Sequence, residues 1–283
     1  MSVKGREKIE ILERRARVIS RIRSFFDERG FVEVDTAVRI DAPAPEEYID
    51  CPGVVSGGFL RASPELQMKK LLALGMERIY QIGPCFRDGE SGSRHNPEFT
   101  MLEWYRSRAG YLDIAEDMKN LLVFLGFDSN SFSSVKVRQL YLEVAGWDPF
   151  LSWNRDRFDF DMATKIEPHI KKMGKGVFLF DYPPQAASLA KISSSGVAER
   201  WELYWDGMEL ANAFTELCDG KEQLKRFEYS REQRKLLNEA NYPIDYEFIE
   251  SISQIPGAAG VALGVDRLLM CILNFAKILT VRA

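Results

Sequence analysis

The chain has few of the residues that most often carry or constrain chemistry. Histidine occurs only at His95 and His169, and the four cysteines (Cys51, Cys85, Cys218 and Cys271) form no C-x-x-C pair. That spacing speaks for a reducing compartment and against a zinc site or a disulfide framework. No window approaches the roughly 18 consecutive apolar residues of a membrane span, and the N-terminal MSVKGREKIEIL lacks the apolar stretch of a signal peptide. A soluble, cytoplasmic protein without a membrane partner is expected. Lys and Arg total 38 against 42 Asp and Glu, and no basic block marks a nucleic-acid footprint, so tRNA is not expected as a partner. Phosphate-binding fingerprints are missing too. The segment MGKGV (Met173–Val177) has neither the spacing nor the hydroxyl of a phosphate loop, and no dinucleotide-binding G-x-G-x-x-G occurs. A nucleotide handled by this chain must be held by side chains on a sheet.

What is present suffices for a large core, with 46% apolar residues in 283. Glu7 to Arg29 reads as an amphipathic helix with Leu12, Ala16, Ile19, Ile22 and Phe26 on one stripe, followed by a strand at Phe31–Val34. In SPELQMKKLLALG, Ser63 caps a helix, Pro64 suits its first turn and Gly75 ends it. RIYQIGPCFR and EFTMLEWYR are two strands, and a further helix runs from Tyr111 to about Leu125. Residues 128–175 read as short helices in a peripheral insertion. GVFLFDY is a buried strand, and AERWELYWDGMELANAFTEL is a hairpin turning at Asp206-Gly207. A charged helix spans Gly220 to Ala240, and GVALGVDRLLMCIL is a strand entering a helix. Strands joined by hairpins predict an α+β fold, an antiparallel β-sheet flanked by helices, as one domain over residues 1–283.

The stretch FRDGESGSRHNPEFTMLEWYR (Phe86–Arg106) gathers arginine, histidine, aromatics and two carboxylates in one hairpin. Its connection, Asp88 to Asn96, is too long for a tight turn and reads as a functional loop. Arg87 stands at a strand rim, where its planar fork suits a phosphate, and Phe99 offers a ring for stacking on a base. Phe99, Met101, Glu103 and Tyr105 share a face by the period of two. An exposed hairpin is the plain alternative, but a carboxylate on an apolar face needs a partner. Asp266-Arg267, preceded by Gly260 and Gly264, sits at a helix mouth, and Glu209, Asn212 and Glu216 form a third group. Each of these has a structural alternative: a helix-start ion pair for the first, surface carboxylates for the second.

In this order, the three groups resemble motifs 2 and 3 of class II aminoacyl-tRNA synthetases, the lysyl enzymes in particular, whose motif 2 closely matches RHNPEFTMLE. Leu12 to Thr36 resembles the motif 1 dimer element, with Ala37 where a proline is usual. No counterpart of the anticodon-binding barrel of those enzymes is expected in these 283 residues. That architecture is similar to a truncated paralogue group that attaches β-lysine to a lysine of elongation factor P. The resemblance implies ATP-dependent adenylation of (R)-β-lysine or lysine with Mg2+, a homodimer, and elongation factor P as acceptor. It implies that Arg87 binds the α-phosphate, that His95, Asn96, Glu209, Leu210 and Gly264 line the nucleotide, and that Phe99 and Arg267 sandwich the adenine. Ser63, Glu65, Glu103, Tyr105, Asn212, Glu216 and Ala262 would contact the amino acid, with Glu65 holding an ammonium. Glu209 and Glu216 would hold the metal.

Three points are specific to this chain. The acid usual two residues after the motif 2 arginine is Gly89, leaving the adenine contact to Glu90 or to backbone. On a flat strand Glu209 and Glu216 face opposite ways, so both serve one metal only if the strand bulges or twists. Lysyl enzymes carry Gly where Ala262 stands, and the extra methyl is expected to favour β-lysine. The competing expectations are a lysyl-adenylate-forming enzyme serving tRNA or another carrier, and a non-catalytic regulatory subunit. The latter should have lost the nucleotide-binding arginines, and both Arg87 and Arg267 remain.

Overall fold

The computed structural model describes residues 3–282. Helix α1 (Val3–Asp27) leads through β1 (Val32–Glu33) to the short pair β2 (Arg39–Ile40) and β3 (Phe59–Leu60). Helix α2 (Glu65–Ala73) precedes the hairpin of β4 (Arg78–Phe86) and β5 (Glu98–Ser107). Next come α3 (Tyr111–Phe124), β6 (Phe132–Lys136), α4 (Val137–Leu140), α5 (Arg155–Asp161) and α6 (Glu167–Met173). Strands β7 (Gly176–Tyr182), β8 (Ala198–Trp205) and β9 (Met208–Thr215) follow, then α7 (Gly220–Leu236), α8 (Tyr246–Ile252), β10 (Ala258–Gly264) and α9 (Val265–Leu273). The chain divides into two compact units, one of residues up to 107, 218–256 and from 263 onward, the other of 108–217 and 257–262. No described helix is long and apolar enough to cross a membrane.

In the first unit β4 and β5 are antiparallel, with Gln81 opposite Glu103 and Cys85 opposite Phe99, while β1 runs parallel to β4. Helix α1 buries Ile11, Val18, Ile22, Phe25 and Phe26. The expected stripe is thus turned by about one residue: Ala16 is exposed, and Leu12 and Ile19 are half-buried. The adjacent Phe25 and Phe26 cause the turn. Both are fully buried, and Phe26 stacks on Tyr80 with ring centroids 4.6 Å apart, so the helix centres its apolar face between them. Arg61, buried itself, donates to the carbonyls of Thr36, Ala37 and Pro84. It thereby fixes the turn at Ala37. A Cβ on Gly83 would lie 2.7 Å from the Arg61 guanidinium, which explains a glycine inside β4.

In the second unit the strand order is β10-β9-β8-β7-β6. Strands β7, β8 and β9 are antiparallel neighbours. Asp206 and Gly207 both have positive φ, +49° and +72°, as the two-residue turn between β8 and β9 requires. The segment 128–175 holds the expected short helices α4, α5 and α6, and also a strand that was not expected. It contributes β6, parallel to β7, and buries Val137, Leu140, Tyr141, Ile166 and Ile170. The strand escaped notice because FSSVK has only Val135 buried, leaving no alternation to detect. In each unit the α+β class holds, with mainly antiparallel pairing and one parallel pair.

Candidate active site

Arg87 follows the end of β4, and its backbone N–H donates to the Pro97 carbonyl (2.9 Å), continuing the ladder past the last strand residue. Alternation puts its side chain on the face of Phe99, and the guanidinium lies 5.2 Å from the Phe99 ring centroid. The Arg87 Nε is buried and makes no hydrogen bond with the protein, while Nη1 is 3.5 Å from Glu90 Oε1. Gly89 has φ +76°, a conformation glycine adopts without strain, so this loop follows a path ill-suited to the glutamate expected there. Glu90, one residue on, turns back to Arg87. Asn96 donates to the Glu98 carbonyl and shapes the return into β5.

Arg267, on the first turn of α9, reaches the same loop, with Nε 3.3 Å from the Arg94 carbonyl and Nη2 2.6 Å from His95 Nε2. Its stem packs over Gly264, where a Cβ would meet it at an ordinary 3.7 Å. The neighbouring Asp266 is 1% exposed and takes the structural alternative. It accepts from Arg15 Nη1 (2.5 Å), Arg282 Nη1 (2.8 Å) and the backbone N–H of Thr100 (2.8 Å), tying α1, β5 and the C-terminal turn to α9. The cation over Phe99 is Arg87, and Arg267 bonds groups of the loop.

Along the same face, Glu103 is buried at 1% exposure. Its Oε1 accepts from Ser63 Oγ (2.6 Å) and its Oε2 from Tyr105 OH (2.9 Å). Ser63 Oγ in turn accepts the N–H of Glu65 (2.9 Å), so one hydroxyl both caps α2 and holds the carboxylate. Burial, and next the charge of Glu65, push the Glu103 pKa up to about 7 despite these bonds and the nearby Lys69. Ser63, Glu65, Glu103 and Tyr105 are thus brought together as expected. The sequence reading missed Lys69, which is 2% exposed and bonds Glu65 Oε1 at 2.5 Å. Its signal was present as a Glu-x-x-x-Lys spacing on a helix.

The second unit holds the other expected residues. Leu203 pairs with Ala211 but Tyr204 with Glu209, so Leu210 is an extra residue in β9. This bulge changes the parity of the strand and puts Glu209, Asn212 and Glu216 on one face. The face also carries Arg200, Glu202 and Tyr204. Arg200 donates to Glu202 Oε1 (2.6 Å), Asn212 Oδ1 (2.9 Å) and the Ala186 carbonyl (2.8 Å), and Tyr204 OH donates to Glu202 Oε2 (2.7 Å). Burial works against the charge of Arg200, and Glu202 together with Tyr182, Glu209 and Tyr204 more than offsets it, holding the guanidinium protonated. Burial, then Glu202, push the Tyr204 hydroxyl well above its usual range. Glu216 is 2% exposed. Ala262 is half-buried in an otherwise buried run of β10. Among the described residues no group of three or more His, Cys, Asp or Glu is arranged to hold a metal. Two carboxylates on one face still suit magnesium, which keeps several waters and takes one or two carboxylates plus substrate phosphates.

The profile of the family described as tRNA synthetases class II (D, K and N) matches residues 1–283, and the chain belongs to that family. Within it, the chain is 37% identical over 304 aligned residues to the elongation factor P--(R)-beta-lysine ligase of Proteus mirabilis, covering 94% of this chain and 92% of that one. It is 38% identical over 308 residues to the ligase of the same name from Photorhabdus laumondii, with 96% and 94% covered. The Yersinia enterocolitica ligase matches at 36% over 302 residues, with 94% and 92% covered.

Proposed function

We propose that this protein activates (R)-β-lysine, or lysine, with ATP as an aminoacyl-adenylate and transfers the acyl group to a lysine side chain of elongation factor P. The observation that carries the reading is Arg87, a strand-end guanidinium with a buried Nε lacking a hydrogen bond, on the face that leads to the Glu103 carboxylate. The similarity to the three ligases supplies the acceptor and the amino acid.

Adenylation asks for alignment and positive charge more than for acid–base groups. The substrate carboxylate is ionised at neutral pH and attacks the α-phosphorus, and pyrophosphate leaves. Arg87 grips the α-phosphate and Arg267 the nucleotide, with Phe99 as the stacking surface for adenine and His95, Asn96 and Glu90 shaping the loop around it. Glu65 and Glu103 attract the amine end of the substrate, and Ser63 and Tyr105 hold Glu103 in place. Glu209 and Glu216 are the proposed carboxylates for magnesium, which when bound offsets phosphate charge. Leu210 and Gly264 as nucleotide contacts, and Asn212 and Ala262 as substrate contacts, rest on the motif correspondence. In the second step the acceptor ε-amine attacks the acyl carbon and AMP departs.

The test is incubation with ATP, (R)-β-lysine and elongation factor P, read by intact mass. One added lysyl group on the factor supports the proposal, and an unmodified factor beside a modified tRNA would overturn it. A homodimer through residues 12–36 belongs to the same reading. Leu12 and Ile19 are only half-buried and Val32 is exposed, leaving apolar surface for a second copy. Sedimentation at micromolar concentration should show twice the chain mass, and a fully active monomer would count against the dimer.

A further inference from the structure

Lys69 is a buried cation of the first unit that the activation chemistry has not used and that bonds a carboxylate of the candidate site. A buried ammonium is costly unless paired, and here its partner is the carboxylate proposed to hold a substrate amine. We propose that Lys69 is a positioning residue for the substrate ammonium: it fixes the Glu65 carboxylate at the start of α2 and sets the charge of the Glu65–Glu103 pair. This rests on the proposed activation of a lysine-type substrate and deepens it.

Glu65 and Lys69 are four residues apart on α2, and the 2.5 Å contact directs Glu65 Oε1 along the helix. Glu65 is also tied to Glu103 through Ser63, which accepts the Glu65 N–H and donates to Glu103. The groups around Glu103 are Glu65, Lys69 and Ser63 from α2 and its approach, Tyr105 from its own strand, and Cys85 from β4. Two carboxylates and one ammonium carry a net charge of −1 when all are ionised, which one substrate ammonium neutralises. Without Lys69 the pair would carry −2, and Glu103 would hold its proton more tightly. Fewer enzyme molecules would then present the charged pair at neutral pH. A helix-internal ion pair that only stabilises α2 would predict no such coupling between Lys69 and substrate binding.

The experiment follows ATP–pyrophosphate exchange across the neutral pH range for wild type, Lys69→Met and Lys69→Arg, with separate KM values for ATP and (R)-β-lysine. Lys69→Met is expected to raise the amino-acid KM roughly tenfold or more, to leave the ATP KM within about twofold, and to move the acid limb of kcat/KM to higher pH. Lys69→Arg keeps the charge but displaces it, and should restore the acid limb while the amino-acid KM stays raised. A Lys69→Met acid limb that coincides with wild type overturns the inference. So does a Lys69→Arg enzyme matching wild type in both limb and KM, a result readable even where the Met variant does not fold. A wild type that forms no adenylate from any lysine isomer overturns both this inference and the function it rests on. An active wild type with unresponsive variants overturns this inference alone.

Discussion

Each unit contains a buried glutamate with a tyrosine two residues later, and the two differ in what completes them. Tyr105 donates to Glu103 Oε2 at 2.9 Å, and Tyr204 to Glu202 Oε2 at 2.7 Å. The i, i+2 spacing on a strand puts each pair on one face. The Oε1 atoms then part ways, with a serine hydroxyl on Glu103 and the Arg200 guanidinium on Glu202, both at 2.6 Å. Burial and then the Glu65 charge raise the Glu103 pKa to about 7, and its neutral hydrogen-bond partners and the nearby Lys69 only partly oppose them. Burial raises the pKa of Glu202 as well, but there the Arg200 guanidinium opposes it and bonds the carboxylate directly. The same local motif is thus closed by neutral hydroxyls in one unit and by a directly bonded guanidinium in the other.

The comparison breaks most visibly at Arg200. Replacing it with Met leaves Glu202 as a buried charge without its cation, and should cost about 3–5 kcal/mol of stability in denaturant unfolding. A loss within about 0.5 kcal/mol would remove the architectural reading of that cluster. Arg87→Ala should do the opposite, leaving the unfolding midpoint near wild type but costing about 2–4 kcal/mol of transition-state stabilisation. Pyrophosphate exchange at the wild-type rate in that variant would sink the phosphate role of Arg87.

Glu103→Gln sharpens the contrast through pH. The folded chain keeps a Glu103 proton up to about pH 7, whereas the unfolded chain releases it near the ordinary value of 4.5. The folded state thus binds more protons across that window, and Glu103 makes stability fall as pH rises through it. Glu103→Gln abolishes this slope, so the variant should gain roughly 2 kcal/mol relative to wild type between mildly acidic and mildly alkaline buffer. Urea midpoints at the two pH values measure it, and parallel curves would show that the carboxylate is not the titrating group. The smallest effect is expected at Ala262. Removing its methyl with Ala262→Gly should lower the kcat/KM preference for (R)-β-lysine over α-lysine by about tenfold, near 1.4 kcal/mol. Equal losses for both isomers would leave only a packing role.

Much of this was legible where local chemistry decides structure. The hairpin turn at Asp206-Gly207, the helix after Ser63-Pro64 and the strand entering α9 each follow from turn residues, caps and periodicity. The face shared by Phe99, Met101, Glu103 and Tyr105 follows from alternation alone. The bulge at Leu210 was a condition that the residue spacing posed and the strand register met. The stripe on α1 was misplaced by one residue because two adjacent phenylalanines compete for the same face. β6 was missed because an edge strand with serines outward carries almost no hydrophobic signal.

The sequence by itself determined the elements, the order of the motifs and the set of residue types a nucleotide and an amine require, because these depend on neighbours within a few residues. Which buried charges are compensated was decided only by tertiary structure. Asp266 draws Arg15 from 251 residues away, and Glu103 draws Ser63 from another element, while Arg200 completes Glu202 within its own strand. Burial and charge pairing are properties of the folded space around a group, and Glu103 and Glu202 could be told apart only once that space was filled.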